Sequence, residues 1–274
     1  MAFNQKDLWK LNLLLFDIGG WGKRILYYLF KHKLFSVIKK NNDLQNLNRE
    51  NKKVYVCGLG PSLKKIDLMK LEGDTIVVNR FYKIGEKFPD FIPTFYLMVD
   101  YKFADKENLS DLQKAINMYV EKGTIYILNS KLAGSPYISK IPTTQVYYIT
   151  CIDGRMHVGT HYKINGLYPA FQNVVSAAIF LLILMGYKDI NLLGCDFNSF
   201  ASTKQNHCYD DKAPARLYPM YEELFAYSFA AKDHTDLQQY AMKLGCRIVN
   251  RTEGSLIDAY PLQIDNSLNL AIDG

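Results

Sequence analysis

From residue 53 onward, short apolar runs alternate with longer segments of helical period. The runs at 54–58, 75–79, 94–100, 124–129, 145–150, 190–194 and 247–250 predict strands, and helices are predicted at 109–122, 172–184, 215–231 and 235–244. Strands alternating with helices imply a largely parallel sheet covered on both faces, an α/β architecture. Thr235, Asp236, Leu237 and Gln238 read as a capping box, and Gly245 closes that segment. His234 is therefore expected just before a helix N-terminus.

Residues 8–38 follow another pattern. Leu8, Trp9, Leu11, Trp21, Leu34 and Phe35 alternate with basic residues in an amphipathic but interrupted stretch. Asp17, Gly19, Gly20, Lys23 and Arg24 break any run of about 20 apolar residues, so a spanning helix is not expected. Two placements fit: a helical hairpin packed on the body or on a dimer partner, or a helix lying on an anionic membrane surface. The Asn-rich segment 40–52 reads as a linker, dividing a helical extension at 1–50 from a domain at 51–274.

With 49% hydrophobic residues the chain can bury a substantial core, so disorder is not the default. The net charge of +6 is uneven. Residues 1–53 hold eleven lysines and arginines against four acids, a local +7 that leaves −1 for the rest. A nearly neutral body with no basic stripe beside the candidate loops argues against nucleic acid as a partner. Cys57, Cys151, Cys195, Cys208 and Cys246 form no C-x-x-C pair, which favours a reducing compartment and no zinc site. No cleavable signal is visible, so the expected location is cytoplasmic, with the basic N-terminus able to hold the protein peripherally at the inner membrane face. Twenty tyrosines suit carbohydrate stacking and suit a core equally well.

Three constellations carry candidate chemistry. Gly58, Leu59, Gly60, Pro61 and Ser62 follow an apolar strand, as expected of a tight turn whose amides approach an anion, or of a merely structural turn. The turn lacks the third glycine of the dinucleotide fingerprint and the Gly-Lys-Ser/Thr ending of a P-loop. Asn79 and Arg80 end the second strand and are expected to face the same crevice; Arg80 either grips a phosphate or carboxylate or sits in a surface ion pair. Gly194 and Asp196 end a buried strand delivered by a wholly apolar helix, where a carboxylate either binds hydroxyls or caps a turn. Asp100 and Asn129 close two further strands on the same side and are taken as ligand contacts.

Cys-Gly-x-Gly-Pro-Ser-Leu-Lys-x-Ile-Asp at 57–67, Asn79, Gly-Tyr-Lys-x-Ile at 186–190, Gly-x-Asp-Phe at 194–197 and Thr-Asp-Leu at 235–237 together resemble the bacterial sialyltransferases of glycosyltransferase family 42. They also resemble the related motility-associated and pterin-diphosphokinase-like proteins, whose tails are similar to residues 247–254. The likeness covers about 53–255. It implies a Rossmann-like, GT-A-type sialyltransferase domain with a small lid. The implied activity is transfer, with inversion, of sialic acid or a related nonulosonic acid from a CMP donor to an oligosaccharide or glycolipid acceptor. No cofactor and no metal are implied, and homo-oligomers are compatible with it. The chain lacks Asp-x-Asp, the usual cation clamp, though Asp210-Asp211 keeps the question open.

The chain departs from the family at several places. Leu59 stands where the family has Asn, Phe171 where it has Arg, and Asn173-Val174-Val175 where it has Thr-Ser-Gly; Gln172, Asn173 or Ser176 would substitute. Asn198 replaces a tyrosine, leaving Tyr209 as the expected phosphate donor. Ala231 occupies the place of the family's catalytic histidine, so His234 or His207 is expected to be the base, His234 being kept neutral by the adjacent helix N-terminus. His157 and His161, in the 154–166 loop with Arg155 and Lys163, read as substrate or lid contacts, and His32 as structural. Two other readings are a diphosphokinase using ATP and magnesium, and a non-catalytic interaction protein on the same fold.

Overall fold

The computed structural model describes residues 5–30, 32–45, 47, 49–105, 108–152, 154–202, 207–210 and 218–270. Seven parallel strands, β1 (Lys53–Cys57), β2 (Asp74–Val78), β3 (Phe95–Met98), β4 (Ile125–Asn129), β5 (Val146–Ile149), β6 (Asp189–Leu193) and β7 (Arg247–Asn250), form one sheet in the order β5-β4-β3-β2-β1-β6-β7. All seven predicted strands are present. Those expected to end at Asn79 and Gly194 stop one residue earlier, because both residues take left-handed backbone, φ 47° and 63°.

The α-helices are α1 (Gln5–Phe30), α2 (His32–Lys39), α3 (Asn42–Gln45), α4 (Tyr82–Gly85), α5 (Leu109–Tyr119), α6 (Val174–Leu184) and α7 (Met220–Lys243). Strand side chains alternate between two cores. Val54, Val56, Ile76 and Leu97 pack toward α6 and α7, whereas Tyr55, Cys57, Val77 and Tyr96 pack toward α5. Burial on both faces is why the strands read as nearly continuous apolar runs. Every residue of α6 from Val175 to Leu184 is buried, which explains its lack of a polar face.

Two expectations need correction. The helices predicted at 215–231 and 235–244 are one helix, α7, with residues 215–217 outside the described set. No breaker lies between 231 and 235, and Thr235 Oγ1 donates to the Ala231 carbonyl at 3.2 Å instead of capping. The segment read as a linker is docked. Asn41 is fully buried, its Nδ2 donating to Tyr148 O at 2.8 Å and Ile164 O at 3.2 Å, while Lys40 Nζ donates to Val146 O at 2.9 Å. These donors cover carbonyls of β5, an edge strand.

The amphipathic N-terminus forms α1 and α2. One side of α1 meets the body: Phe16 packs on Phe229 of α7 with ring centroids 5.3 Å apart, and Asp17 Oδ2 accepts from Arg155 Nε at 2.7 Å. Among the described residues, no helix is long and apolar enough to cross a membrane.

Candidate active site

The chain steps outward from β1 to β5 and returns to β6 on the other side of β1. This reversal is a topological switch point, where ligands of open parallel sheets bind beyond the carboxyl ends. The turns after β1 and β6 meet there. Gly58 N donates to Leu193 O at 2.7 Å and Gly60 N to Gly194 O at 2.8 Å. Ser62 donates to Asp196 twice, from its amide to Oδ1 at 3.3 Å and from Oγ to Oδ2 at 2.7 Å.

The anion-cradle reading of the first turn is therefore corrected. The amides of Gly58, Gly60 and Ser62 are taken by the second turn, Pro61 has none, and Pro61–Lys65 is a single 3₁₀ segment without an α-helical dipole. The glycines serve the approach of chain to chain. A Cβ on Gly60 would lie 1.9 Å from Asp196 Oδ2, and one on Gly58 would lie 2.4 Å from Gly194 O. Asp196 is 6% exposed, and burial raises its carboxyl above the usual range against the opposing pull of the two Ser62 donors.

Above this closed floor lie two adjoining cavities of about 180 and about 520 Å³. Leu59, Gly60, Gly194, Asp196 and His207 line the first; Asp100, Asn129 and Gln172 line the second; Asn79, Asn173 and Val174 line both. Asn79 is fixed by its backbone, its N–H donating to Leu97 O at 3.0 Å and its carbonyl accepting from Tyr96 Oη at 2.8 Å. Its side-chain Oδ1 is buried without a hydrogen-bond partner. Asn173 caps α6, its Oδ1 accepting from Val175 N at 2.7 Å. Asn129 spends its amide on Val99 O at 2.8 Å, and Asp100 Oδ1 accepts from Lys102 N at 3.0 Å.

Seven expected residues lie outside both cavity linings: Gly58, Pro61 and Ser62, which belong to the closed floor, and Arg80, Ser176, Tyr209 and His234. Arg80 points to α5, where Nε pairs with Asp111 Oδ2 at 2.7 Å and an η-nitrogen donates to Asn108 Oδ1 at 3.2 Å. Ser176 is fully buried within α6. Tyr209 is buried, 5.0 Å from the His207 ring and beneath Lys83 Nζ at 4.6 Å. His234 sits mid-helix and only 1% exposed, with Phe197 and Tyr260 packed edge-on and Nδ1 3.0 Å from Tyr260 Oη. It is held neutral, its pKa pushed down to about 3, by burial and not by a helix terminus. His157 faces Asp17 of α1 at 3.3 Å, away from these cavities. Asp211 lies outside the described residues.

No family model and no curated protein matches the chain. Among solved structures, it is similar to the Campylobacter jejuni sialyltransferase CstII in complex with cytidine-5′-monophosphate, at 16% identity over 82% of this chain and 89% of that one, with a TM-score of 0.49. The monofunctional α-2,3-sialyltransferase Cst-I from the same organism is 14% identical over 81% and 86%, with a TM-score of 0.48. At these values the likeness assigns no role to any residue here.

Sequence reasoning missed several residues at the site. Phe197, Asn198, Ser199 and Tyr227 line the first cavity, and Phe197 adopts φ 58°, a strained value for an aromatic residue. Asp233 Oδ2 accepts from Gln172 N at 3.2 Å, and burial, with Asp236 adding to it, raises its pKa to about 7. Tyr227 and His234 are seven residues apart on one helix, a same-face spacing that was available in the sequence.

Proposed function

We propose that this chain is a glycosyltransferase that moves sialic acid or a related nonulosonic acid from a CMP donor to a glycan acceptor, with inversion and without a metal ion. The supporting observation is convergence: Leu59, Gly60, Asn79, Asn173, Gly194 and Asp196, from motifs far apart in the chain, line one cavity at the switch point. In this reading Asn79 Oδ1 receives a donor from the nucleoside, a ribose hydroxyl or the cytosine amino group. Asp196 has lone pairs left for a second hydroxyl. The phosphate lies at the N-terminus of α6, where the dipole favours an anion.

His207, which lines the cavity, is the base. The acceptor oxygen attacks the anomeric carbon as the bond to the CMP phosphate breaks, and the acceptor proton passes to the imidazole. His234 lies behind Phe197 and does not meet substrate in this arrangement.

The occupied amides of Gly58, Gly60 and Ser62 favour a second reading, an interaction protein that keeps the nucleotide fold without turnover. One experiment separates the two. Purified protein is incubated with CMP-sialic acid and related CMP-sugars and a panel of oligosaccharide acceptors, with and without EDTA, and CMP release is followed. Release that survives EDTA and is lost in His207→Ala but not in His234→Ala supports the transferase. Stabilisation by CMP with no release supports the second reading. Magnesium-dependent consumption of ATP would overturn both in favour of diphosphate transfer.

A further inference from the structure

The outward side of α1 is an uncovered apolar face. Leu14, Ile18, Trp21, Ile25 and Leu29 recur at spacings of three and four, so they share one stripe about 22 Å long, with Leu15 and Leu26 along its edge. All are exposed, Trp21 to 69%. The opposite side, through Leu13, Phe16, Asp17 and Gly20, is the one that meets the body. The apolar surface extends beyond α1. Phe16 packs at a tilt on Phe229, whose ring centroid lies 5.1 Å from that of the exposed Phe225, and Tyr221 and Leu224 are exposed beside it at the start of α7.

Charge decides what covers this face. Lys10 and Lys23 are exposed on α1, and residues 1–53 carry a net +7. A second copy docked through the same stripe would bring two such segments together, whereas an anionic lipid surface neutralises them. At the edge of the stripe, between α1 and the loop after β5, is a cavity of about 260 Å³ lined by Ile18, Trp21, Arg24, Arg155, His157 and Asp17. Asp17 offsets Arg155 at 2.7 Å, and Arg24 leaves the cavity net positive beside two apolar side chains. A phosphodiester with an acyl chain attached matches that pairing.

We infer that α1 lies in the interface of an anionic phospholipid bilayer, with a lipid phosphate in the Arg24–Arg155 cavity. Its apolar stripe enters the headgroup boundary, and no part of the helix spans the membrane. Because α7, whose first turns continue the apolar surface, also supplies Tyr227 to the first cavity, that cavity opens close to the lipid plane. This docking stands whether or not the chain transfers sugar, and its test reads no activity.

Both tryptophans of the protein, Trp9 and Trp21, belong to α1, so fluorescence excited beyond the tyrosine absorption band reports on this helix alone. In Trp9→Phe protein excited in this way, the signal comes from Trp21. Vesicles of phosphatidylcholine with about one third phosphatidylglycerol should shift its emission to the blue and co-sediment the protein, pure phosphatidylcholine much less, and salt should weaken both effects. Leu15→Glu with Leu26→Glu, at exposed positions, should abolish co-sedimentation while circular dichroism stays unchanged. Arg24→Gln should weaken binding about fivefold. Free inorganic phosphate that competes fully with vesicles would make the cavity an anion site unrelated to lipid. A blue shift that grows with protein concentration in the absence of vesicles, together with a dimeric mass by light scattering, would assign the stripe to a second copy. Either result, or no shift and no sedimentation, overturns the proposal.

Discussion

Ser62 holds both oxygens of Asp196, through its amide at 3.3 Å and its hydroxyl at 2.7 Å, so a residue of the first turn fixes a carboxylate in the turn after the sixth strand. The hydroxyl bond is to a charged group and is worth about 1.5–3 kcal/mol. Ser62→Ala should lower the thermal midpoint accordingly and raise the Asp196 pKa further, since one of the two donors opposing burial is gone. Denaturant titration and the carboxyl chemical shift across pH check the two effects separately.

Gly60→Ala tests the contact between turns more severely. Its Cβ would fall 1.9 Å from Asp196 Oδ2 and 2.8 Å from Gly194 O, the latter a backbone atom that cannot swing aside. A loss of about 3 kcal/mol or more is expected, with CMP binding weakened as Asp196 moves. Gly159→Ala is the control, because a Cβ there meets nothing within 4 Å. Equal melting of the two variants would mean that the turns are not tightly joined in solution.

Asn79→Gly keeps the left-handed backbone, φ 47°, and deletes only the side chain. The fold should persist while affinity for CMP falls roughly tenfold, about 1.4 kcal/mol, by calorimetry. Arg80→Ala should do the reverse. Its partly exposed pair with Asp111 contributes no more than about 1 kcal/mol, and CMP affinity should stay unchanged. An Arg80 variant that loses CMP would restore the sequence-based reading of that residue.

Asp233 and His234 load the fold with opposite pH dependence. Burial raises Asp233 from 3.8 to about 7, so its contribution is full below pH 3.8 and is lost as pH rises toward 7. Burial lowers His234 from 6.5 to about 3, so its contribution is full above pH 6.5 and is lost as pH falls toward 3. Between roughly pH 4 and 6.5 the two slopes oppose, each limited to about 1.4 kcal/mol per pH unit. Asp233→Asn should leave stability rising with pH across that window, and His234→Gln should leave it falling. Melting curves of both variants at several pH values decide it; parallel profiles would show that neither group is buried as described.

The strands were legible as apolar runs between polar segments, and two of them are bounded by a residue that leaves extended backbone, Asn79 and Gly194. The wholly apolar α6 was legible for a similar reason. Thr235 misled because a threonine satisfies its hydroxyl equally well at a cap or on the carbonyl four residues back. The Gly58–Gly60 turn misled because glycine is needed wherever backbone comes close, and the sequence does not say whether a phosphate or another turn is the neighbour. His207, Phe197 and Tyr227 join Asn79 and Asn173 only through the order of strands in space, which local pattern does not encode.

The amide of Asn41 and the ammonium of Lys40 occupy carbonyls on the outermost strand of the sheet. A protein trimmed at residue 51 to remove the greasy first helix would also lose this seal, baring a row of acceptors to any other extended chain. Attempts to improve solubility by shortening the N-terminus would then trade one sticky surface for another, and trimming only as far as residue 31 is the safer cut.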